Sequence, residues 1–138
     1  MNREILFRGK REDNGEWIEG TLLKSSPQMK EYDCIVNCER VHKSFEAAYY
    51  HYEKIILDTV GQYTGLNDVN RKKIFEGDIV QTCDDKNPKT FVIKSKCGRL
   101  GYQYYLENID GSEYKSYMPY AMRIIGNIHD NSELLEVE

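Results

Sequence analysis

Short runs of β-branched and aromatic residues, separated by glycine-containing turns, recur at short and even spacing through the second half of the sequence. They lie at residues 90–94, 102–106, 114–118 and 123–128. A series of short runs with this punctuation is typical of an all-β sandwich or barrel. The spacing constrains the fold more than any other feature, and it predicts a mainly β chain with little helix.

The first half opens with a strong hairpin signal. Alternating apolar and polar runs at residues 4–8 and 16–23 flank the turn Asp13-Asn14-Gly15. Asn and Gly both tolerate a positive φ, which the tight turns of β-hairpins require. We therefore expect an antiparallel hairpin at the start of the chain.

Further strands are expected after this hairpin. Residues 32–38 read as a third strand, and the tyrosines and β-branched residues of 45–57 favour a fourth. The alanines within 45–52 are also compatible with a short helix. The following segment, 60–68, contains two glycines and is too broken for a helix.

We expect a single domain that spans residues 1–138. Within it, residues 58–70 mark a weak internal boundary. The boundary separates an N-terminal hairpin and meander half from a C-terminal small barrel-like half. In the second half, the turn Glu76-Gly77-Asp78 leads into a strand. Near the end of the chain, Asp130 or Asn131 is expected to cap a short helix.

The balance of charge limits the partners of the domain as a whole. The chain carries 19 Lys and Arg against 23 Asp and Glu, a net charge of −4. Proteins that bind a phosphate backbone normally present a basic face, so this balance disfavours broad nucleic-acid binding. No run approaches about 20 apolar residues, and no apolar stretch follows the N-terminal charges. We therefore expect a cytoplasmic protein without membrane contact, whose four cysteines are free thiols.

Five blocks of the sequence, spread over nearly the whole chain, stand out together. They are Phe7-Arg8-Gly9-Lys10-Arg11, Gly15-Glu16-Trp17-Ile18-Glu19-Gly20, Thr59-Val60-Gly61-Gln62-Tyr63-Thr64-Gly65-Leu66, Lys73-Ile74-Phe75-Glu76-Gly77-Asp78-Ile79-Val80, and Ile125-Gly126-Asn127-Ile128-His129-Asp130-Asn131 before Glu133-Leu134-Leu135. In this order they resemble the YopX family, small proteins encoded by bacteriophages and prophages. The resemblance implies a β-rich protein of the bacterial host cytoplasm, with no established activity and no agreed catalytic residues.

Two positions depart from the family pattern. The family usually has Lys-Asn-Gly where this chain reads Val69-Asn70-Arg71, so Arg71 occupies a position suited to a positive φ. The family also commonly has Pro where this chain has Ser132, and the exchange leaves the first helical turn less rigid.

Cys34, Cys38 and His42 are the candidate metal ligands. On a helix their spacing of four would place all three on one face, as in a zinc site. Ile35 and Val36 instead favour a strand, which spreads the three residues over roughly 26 Å. No fourth ligand is evident, so we expect no metal site and keep a small metalloprotein or enzyme as a remote alternative.

Candidate acid and base residues lack a supporting motif. His51 and His129 are the candidate bases, because histidine is the side chain whose unperturbed pKa lies near neutrality, but neither accompanies a recognisable Ser or Cys nucleophile. Neighbouring carboxylates could act as a pair in hydrolysis, but among 23 acidic residues such neighbours arise by chance. The candidate carboxylates are Asp78, Asp84, Asp85, Asp130, Glu133 and Glu136. The segment Gly98-Arg99-Leu100-Gly101 is superficially similar to the nucleotide-clamping loop of KH domains, but it reads better as a turn. We expect no catalytic residue and no cofactor.

Two basic clusters supply a second functional hypothesis. The first contains Arg3, Arg8, Lys10 and Arg11, and the second is Arg71-Lys72-Lys73. Together with exposed tyrosines they could bind single-stranded nucleic acid in a regulatory module. Their ordinary role would be to keep turns and strand edges soluble.

The 11 tyrosines of the chain supply the leading hypothesis. Strand edges recruit partners, and tyrosines anchor interfaces at a low cost in conformational entropy. We therefore expect a non-enzymatic binding or self-assembling module, whose partner is an unknown protein or a second copy of the chain. The candidate interaction residues are Tyr49, Tyr50, Tyr52, Tyr102, Tyr104 and Tyr105.

Overall fold

The computed structural model describes residues 5–23, 34–40, 48–83, 86–99, 101–114 and 121–136. Over these residues the chain consists mainly of strands, with one 3₁₀ turn at Ser132–Leu135. The strands are β1 (Phe7–Arg11), β2 (Trp17–Leu23), β3 (Cys34–Arg40), β4 (Ala48–Asn67), β5 (Lys73–Phe75), β6 (Asp78–Thr82), β7 (Thr90–Gly98), β8 (Gly101–Asn108) and β9 (Met122–Asn127). The predicted mainly β fold is confirmed. Within the described ranges, no helix has the length and apolar character needed to cross a membrane.

The chain divides into two compact units, residues 1–62 and 63–138. In the first unit, β1 pairs antiparallel with both β2 and β4, and β3 also pairs with both. These four pairings close a ring of strands. The predicted N-terminal hairpin is confirmed, since Phe7 lies opposite Gly20, and the turn residue Gly15 has a φ of 71°.

The interior of this ring is narrow because the diameter of a barrel grows with the number of its strands. Ile35 and Ile55 are buried there. Gly9 of β1 leaves room for them: a Cβ at this position would lie 3.3 Å from Ile35 Cδ1 and 3.3 Å from Val60 Cγ2. The ring therefore depends on the missing side chain at Gly9.

Strand β4 continues to Asn67, through the segment 60–68 that the sequence indicated to be too broken for a helix. Near Thr59 its register with β1 shifts, because Arg8 lies opposite Gly61 whereas Lys10 lies opposite Ile56. The Thr59 hydroxyl accepts a hydrogen bond from Lys10 N at 2.8 Å and donates one to Ile56 O at 2.6 Å. This side chain replaces the interrupted ladder bonds, so the strand persists across the bulge.

In the second unit, the hydroxyl of Thr64 likewise bonds to the backbone at a shift in strand register. The register of β4 with β5 also shifts, and Gly65 has a φ of 87° at this point. The Thr64 hydroxyl donates to Ile74 O at 2.8 Å and accepts from Leu66 N at 3.1 Å. Two threonines five residues apart thus carry β4 through two irregularities.

The other strands of the second unit form an antiparallel sheet in the order β8-β7-β6-β9. Its core combines Ile74 of β5 with residues from all four strands of the sheet, so the β4–β5 pair covers one face. The buried members of this core are Ile74, Val80, Phe91, Ile93, Leu106 and Met122. Among the described residues, the second unit therefore holds the larger apolar core, whereas ring closure through strand pairs is found in the first unit. Residues 115–120 lie outside the described residues, so the predicted strand at 114–118 remains a prediction.

The predicted turn before β6 is confirmed. Gly77 has a φ of 92°, which favours glycine. The Asp78 side chain is only 1% exposed, and its carboxylate accepts a hydrogen bond from Phe75 N at 2.8 Å. The Gly77 backbone donates to Ile93 O and accepts from Ile128 N, which ties the corner to two neighbouring segments.

The predicted short C-terminal helix is present as a 3₁₀ segment, but its predicted side-chain cap is wrong. Residues 132–135 form a single 3₁₀ turn, and Asn131 makes no side-chain cap. The Asn131 Oδ1 atom instead accepts a hydrogen bond from Asn127 N at 3.2 Å. Asn127 Oδ1 in turn accepts from His129 N and Asp130 N. The side chain expected to cap the helix is used by the turn that precedes it.

Candidate functional site

The candidate tyrosines fall into two groups on two strands. One group lies on β4 in the first unit and the other on β8 in the second unit: Tyr49, Tyr50 and Tyr52, then Tyr102, Tyr104 and Tyr105. The structure describes the side chains of Tyr104 and Tyr105, which are half-buried. Each group therefore constitutes a separate candidate surface.

The first group lies where β3 and β4 extend beyond the ring. The pairing of β2 with β3 reaches only Thr21 opposite Val36. The pairing of β3 with β4 continues from Asn37 opposite His51 to Arg40 opposite Ala48. We call residues 37–40 and 48–51 the β3–β4 arm; among the described residues, no third strand pairs with it.

Backbone hydrogen bonds show which way the outer edge of β4 faces. Glu12 N donates to Lys54 O at 2.9 Å, so the Lys54 carbonyl points away from β3. Backbone polar groups alternate in direction along an antiparallel strand, and the β3–β4 register is regular here. The N–H and C=O groups of Tyr52, Tyr50 and Ala48 therefore also point away from β3. Because β1 ends at Arg11, they meet no strand within the described ranges.

The second group lies on β8, at the end of the strand order in its sheet. The C-terminal part of β8 is covered, since Leu106 O accepts a hydrogen bond from Tyr114 N at 2.8 Å. Lys96 Nζ lies 5.1 Å from the centre of the Tyr105 ring and 2.8 Å from the Glu113 carboxylate. Tyr105 thus packs beside a surface ion pair.

A small apolar hollow of about 40 Å³ adjoins the tyrosines of β8. Its lining includes Leu66, Ile93, Tyr104, Tyr105 and Met122, and Leu66 is 47% exposed. Cofactor sites usually enclose several hundred Å³. The hollow therefore suits a small apolar group of a partner rather than a cofactor.

The first basic cluster is gathered around Trp17. The Arg8 guanidinium carbon lies 4.6 Å from the centre of the indole ring, and Lys10 Nζ lies 5.5 Å from it. Both distances are within the range of a cation–π interaction. The structure therefore brings together two of the predicted basic residues and an aromatic side chain, whereas Arg3 lies outside the described residues.

Arg11 differs from its basic neighbours because two carboxylates offset its charge. Its guanidinium is 2.7 Å from Asp13 and 3.3 Å from Glu53. The hydrogen bond with Asp13 is the main reason that the pKa of Arg11 is raised above its ordinary value. This residue adds little positive potential to the surface.

In the second basic cluster, the predicted departure from the family pattern is confirmed. Arg71 has a φ of 65°, the left-handed conformation that a glycine would adopt without strain. Lys73 Nζ lies 5.9 Å from the centre of the Tyr63 ring. Turn geometry and packing account for the positions of these two residues.

Asp68 is a structural residue that the sequence analysis missed. Its buried carboxylate accepts hydrogen bonds from the backbone N–H groups of Asn70, Lys72 and Ile124, at 2.8, 2.9 and 3.1 Å. Burial alone would raise the pKa of Asp68, but these donors and the charge of Lys72 outweigh it and lower the pKa. An Asx turn from Asp68 to Asn70 could have been predicted. The bond from Ile124 joins residues 56 positions apart and has no local signal.

The zinc hypothesis lacks the helix on which it depends. Cys34 and Cys38 both lie on strand β3, where four residues span about 13 Å. His42 lies outside the described residues. Within the part of the chain that the structure describes, no three His, Cys, Asp or Glu side chains are placed to hold a metal ion. Cys83 and Cys97 are exposed thiols.

The candidate acid and base residues occupy turns or strand positions. His51 lies opposite Asn37 on the arm. His129 is half-buried in the turn after β9, where Asn127 Nδ2 also donates to the Asp130 carboxylate at 3.1 Å. Asp84 and Asp85 lie outside the described residues.

The glycines at 98 and 101 face each other at the tip of the β7–β8 hairpin, and Gly101 has a φ of 101°. The turn predicted there is confirmed.

The sequence blocks that resemble the family hold the turns and bulges of both units, at Gly15, Thr59, Thr64, Gly77 and Asn127. The crystal structure of protein EF1440 from Enterococcus faecalis has a similar fold, with a TM-score of 0.60 and 23% sequence identity. The similarity covers 98% of this chain and 100% of that chain. None of the curated proteins matches the chain. The family model described as YopX protein matches residues 6–136, and the chain therefore belongs to the YopX protein family.

Proposed function

We propose that this protein is an accessory protein of a bacteriophage or prophage, made in the cytoplasm of the bacterial host, that acts by binding rather than by catalysis. Its partner is another protein or a second copy of the chain. The observation that carries the proposal is the position of the tyrosines. Both groups lie on strands with a side that, over part of its length, meets no other strand within the described ranges.

Such strands have the physical means to bind. A strand edge offers unpaired N–H and C=O groups, to which another extended segment can add as a further strand. Tyrosine combines a large apolar ring with a hydroxyl, and it is enriched among the residues that dominate binding energies. The apolar hollow beside Tyr104 and Tyr105 adds a place for one small side chain.

The proposal is tested by affinity capture of the full chain from infected or lysogenic cells, together with the molar mass of the purified protein. We expect the wild type to retain a partner or to exceed the mass of one chain. Lysine at a position whose backbone faces away from the neighbouring strand, in Tyr50→Lys or Tyr102→Lys, should weaken binding because it places a charge on an edge. Lys89→Gln, at an exposed position between strands, is the control. A wild type that stays monomeric and retains no partner would contradict the proposal.

Nucleic-acid binding is the second candidate, favoured by the two cations that lie against Trp17. Stacked aromatic and basic side chains are the usual elements of single-strand recognition. Fluorescence anisotropy with single-stranded and duplex DNA over a range of salt concentrations tests it. Binding should weaken as salt rises and fall in Arg8→Gln but not in Arg99→Gln. Absence of salt-dependent binding at low ionic strength removes this candidate.

A further inference from the structure

We propose that two copies of this chain associate through the outer edge of β4, with residues 48–52 of one copy pairing antiparallel with residues 48–52 of the other. The two-fold axis passes at Tyr50. This inference rests on the proposed binding function and names the partner as a second copy.

The first observation is the direction of the backbone. The hydrogen bond from Glu12 N to Lys54 O fixes the side to which Lys54 points, and the regular β3–β4 register carries the alternation to Tyr52, Tyr50 and Ala48. Their N–H and C=O groups lie on the same edge of β4 that pairs with β1, beyond the point at which β1 ends. A strand from a second copy would occupy the place that β1 leaves.

The second observation is that this edge carries no charged residue and no proline of its own. Natural proteins blunt their edges with charges, prolines or covering loops. The segment Ala48-Tyr49-Tyr50-His51-Tyr52 contains no Lys, Arg, Asp, Glu or Pro. An isolated two-stranded ribbon is marginally stable in water, whereas pairing two arms would create four adjacent strands.

The edge of β9 in the second unit provides the contrast. There, Ile124 N donates to the Asp68 carboxylate, and Met122 O accepts a hydrogen bond from Val69 N. The chain thus covers outward groups of β9 with its own loop, whereas the outward groups of residues 48–52 meet no strand among the described residues.

The composition of the segment favours a second copy as the occupant. An axis at Tyr50 places Tyr50 opposite its equivalent, Ala48 opposite Tyr52, and Tyr49 opposite His51. Every cross-strand pair then includes an aromatic residue, and no like charges oppose each other at neutral pH. A two-fold interface needs this kind of self-complementarity. A nucleic acid would require cations, and the segment has none at that pH.

The test uses a pair of opposite charges at the axis. The full-length wild type should be dimeric in sedimentation equilibrium. Tyr50→Lys and Tyr50→Glu should each raise the dissociation constant of the dimer at least about tenfold, because each places two like charges opposite each other. An equimolar mixture of the two variants should regain dimers, since lysine then faces glutamate. Tyr52→Lys and Tyr52→Glu are the matched controls: residue 52 faces Ala48 and is neither opposite nor diagonal to its own equivalent, so mixing should restore nothing.

Hydrogen exchange on the wild type checks the register without substitutions. Exchange at the Tyr50 and Tyr52 amides should slow as protein concentration rises, whereas the Tyr49 amide, which points toward β3, should not respond. A monomeric wild type at all concentrations overturns this inference and leaves binding of another protein open to the capture experiment. A dimer that both Tyr50 variants leave intact, or concentration-independent exchange at Tyr50, places self-association elsewhere and overturns the inference while the binding function stands.

Discussion

The first unit closes four strands into a ring, whereas the second keeps the order β8-β7-β6-β9 and, over the part of the chain that the structure describes, encloses a larger apolar core. In the ring, backbone pairing holds the unit together around a narrow interior that Gly9 keeps open. In the second unit, burial of Phe91 and its neighbours supplies the stabilisation, and Asp68 satisfies an outward group of β9.

The difference shows two ways to manage the edges of a small antiparallel sheet. Ring closure provides hydrogen-bond partners for the backbone groups of an edge only where neighbouring strands overlap. The β3–β4 arm extends beyond that overlap. A covering loop forms hydrogen bonds with only some backbone groups of the edge. In this protein the bond to Ile124 N requires the buried carboxylate of Asp68. We therefore expect the two units to respond differently to changes in packing, pH and backbone conformation.

The largest expected effect is in the core of the second unit. Phe91 is buried and lies 4.6 Å from the Tyr114 ring. Phe91→Ala should lower the free energy of unfolding by about 3–5 kcal/mol, because it removes buried apolar surface and leaves a cavity. Urea denaturation followed by circular dichroism measures the loss. Cys97→Ala, at an exposed position, should change stability by less than about 0.5 kcal/mol. Equal effects of the two variants would contradict this account of the core.

The next effect concerns the covered edge of β9. Asp68→Asn should cost about 1.5–3 kcal/mol at pH 7, because the amide cannot accept all three backbone hydrogen bonds as a carboxylate does. The pKa of Asp68 is lowered in the folded state, so its stabilisation is present above the ordinary value of 3.8 and is lost as pH falls through the folded-state pKa.

Urea midpoints of the wild type should therefore fall as the solution is acidified through this range, and less so in Asp68→Asn. Asp58→Asn is the control, because Asp58 is exposed and takes no part in the hydrogen bonds of Asp68, so this variant should follow the pH dependence of the wild type. An unchanged pH dependence in Asp68→Asn would exclude the proposed role of its charge.

A smaller effect is expected in the ring. Gly9→Ala should lower stability by about 1–2 kcal/mol, because its Cβ would crowd Ile35 and Val60. Trp17 is the single tryptophan of the chain and lies in this unit, so its fluorescence during urea denaturation reports the loss. Ile35→Val removes the crowded Cδ1 atom, and the double variant should cost less than the sum of the two single variants. Strict additivity would indicate that the interior is not crowded at this point.

The smallest effect is a gain. Arg71→Gly should raise the free energy of unfolding by about 0.5–1 kcal/mol, because glycine relieves the left-handed conformation at a φ of 65°. Thermal unfolding measures the change. Lys72→Gly, at the adjacent basic residue, should instead lower stability, since glycine there only adds freedom to the unfolded chain. Destabilisation by both variants would show that Arg71 makes contacts that outweigh the strain.

Much of the local structure could be predicted from the sequence. The hairpin at Asn14-Gly15, the corner at Gly77 and the strained position of Arg71 all depend on the φ preference of one or two residues. The continuation of β4 past Thr59 was missed because its cause is a hydroxyl that bonds to Lys10, 49 residues away. The cap at Asn131 was wrong because that side chain serves the preceding turn.

In the candidate site too, local features could be predicted from the sequence and long-range features could not. The tyrosines could be assigned to strands from their β propensity and spacing, and β4 and β8 are those strands. Which strand has an outer side that meets no other strand in the described ranges depends on where β1 and β2 stop pairing, and no local pattern indicates it.

The sequence by itself determined where the chain turns and which segments extend, because φ preferences and side-chain alternation act over a few residues. Only the tertiary structure decided that β1 joins β4 to close the first unit, that Asp68 covers the edge of β9, and that the arm extends beyond the ring. These features depend on the register between segments far apart in the chain. That register is set by side-chain packing and by the hydrogen bonds that backbone N–H and C=O groups must form.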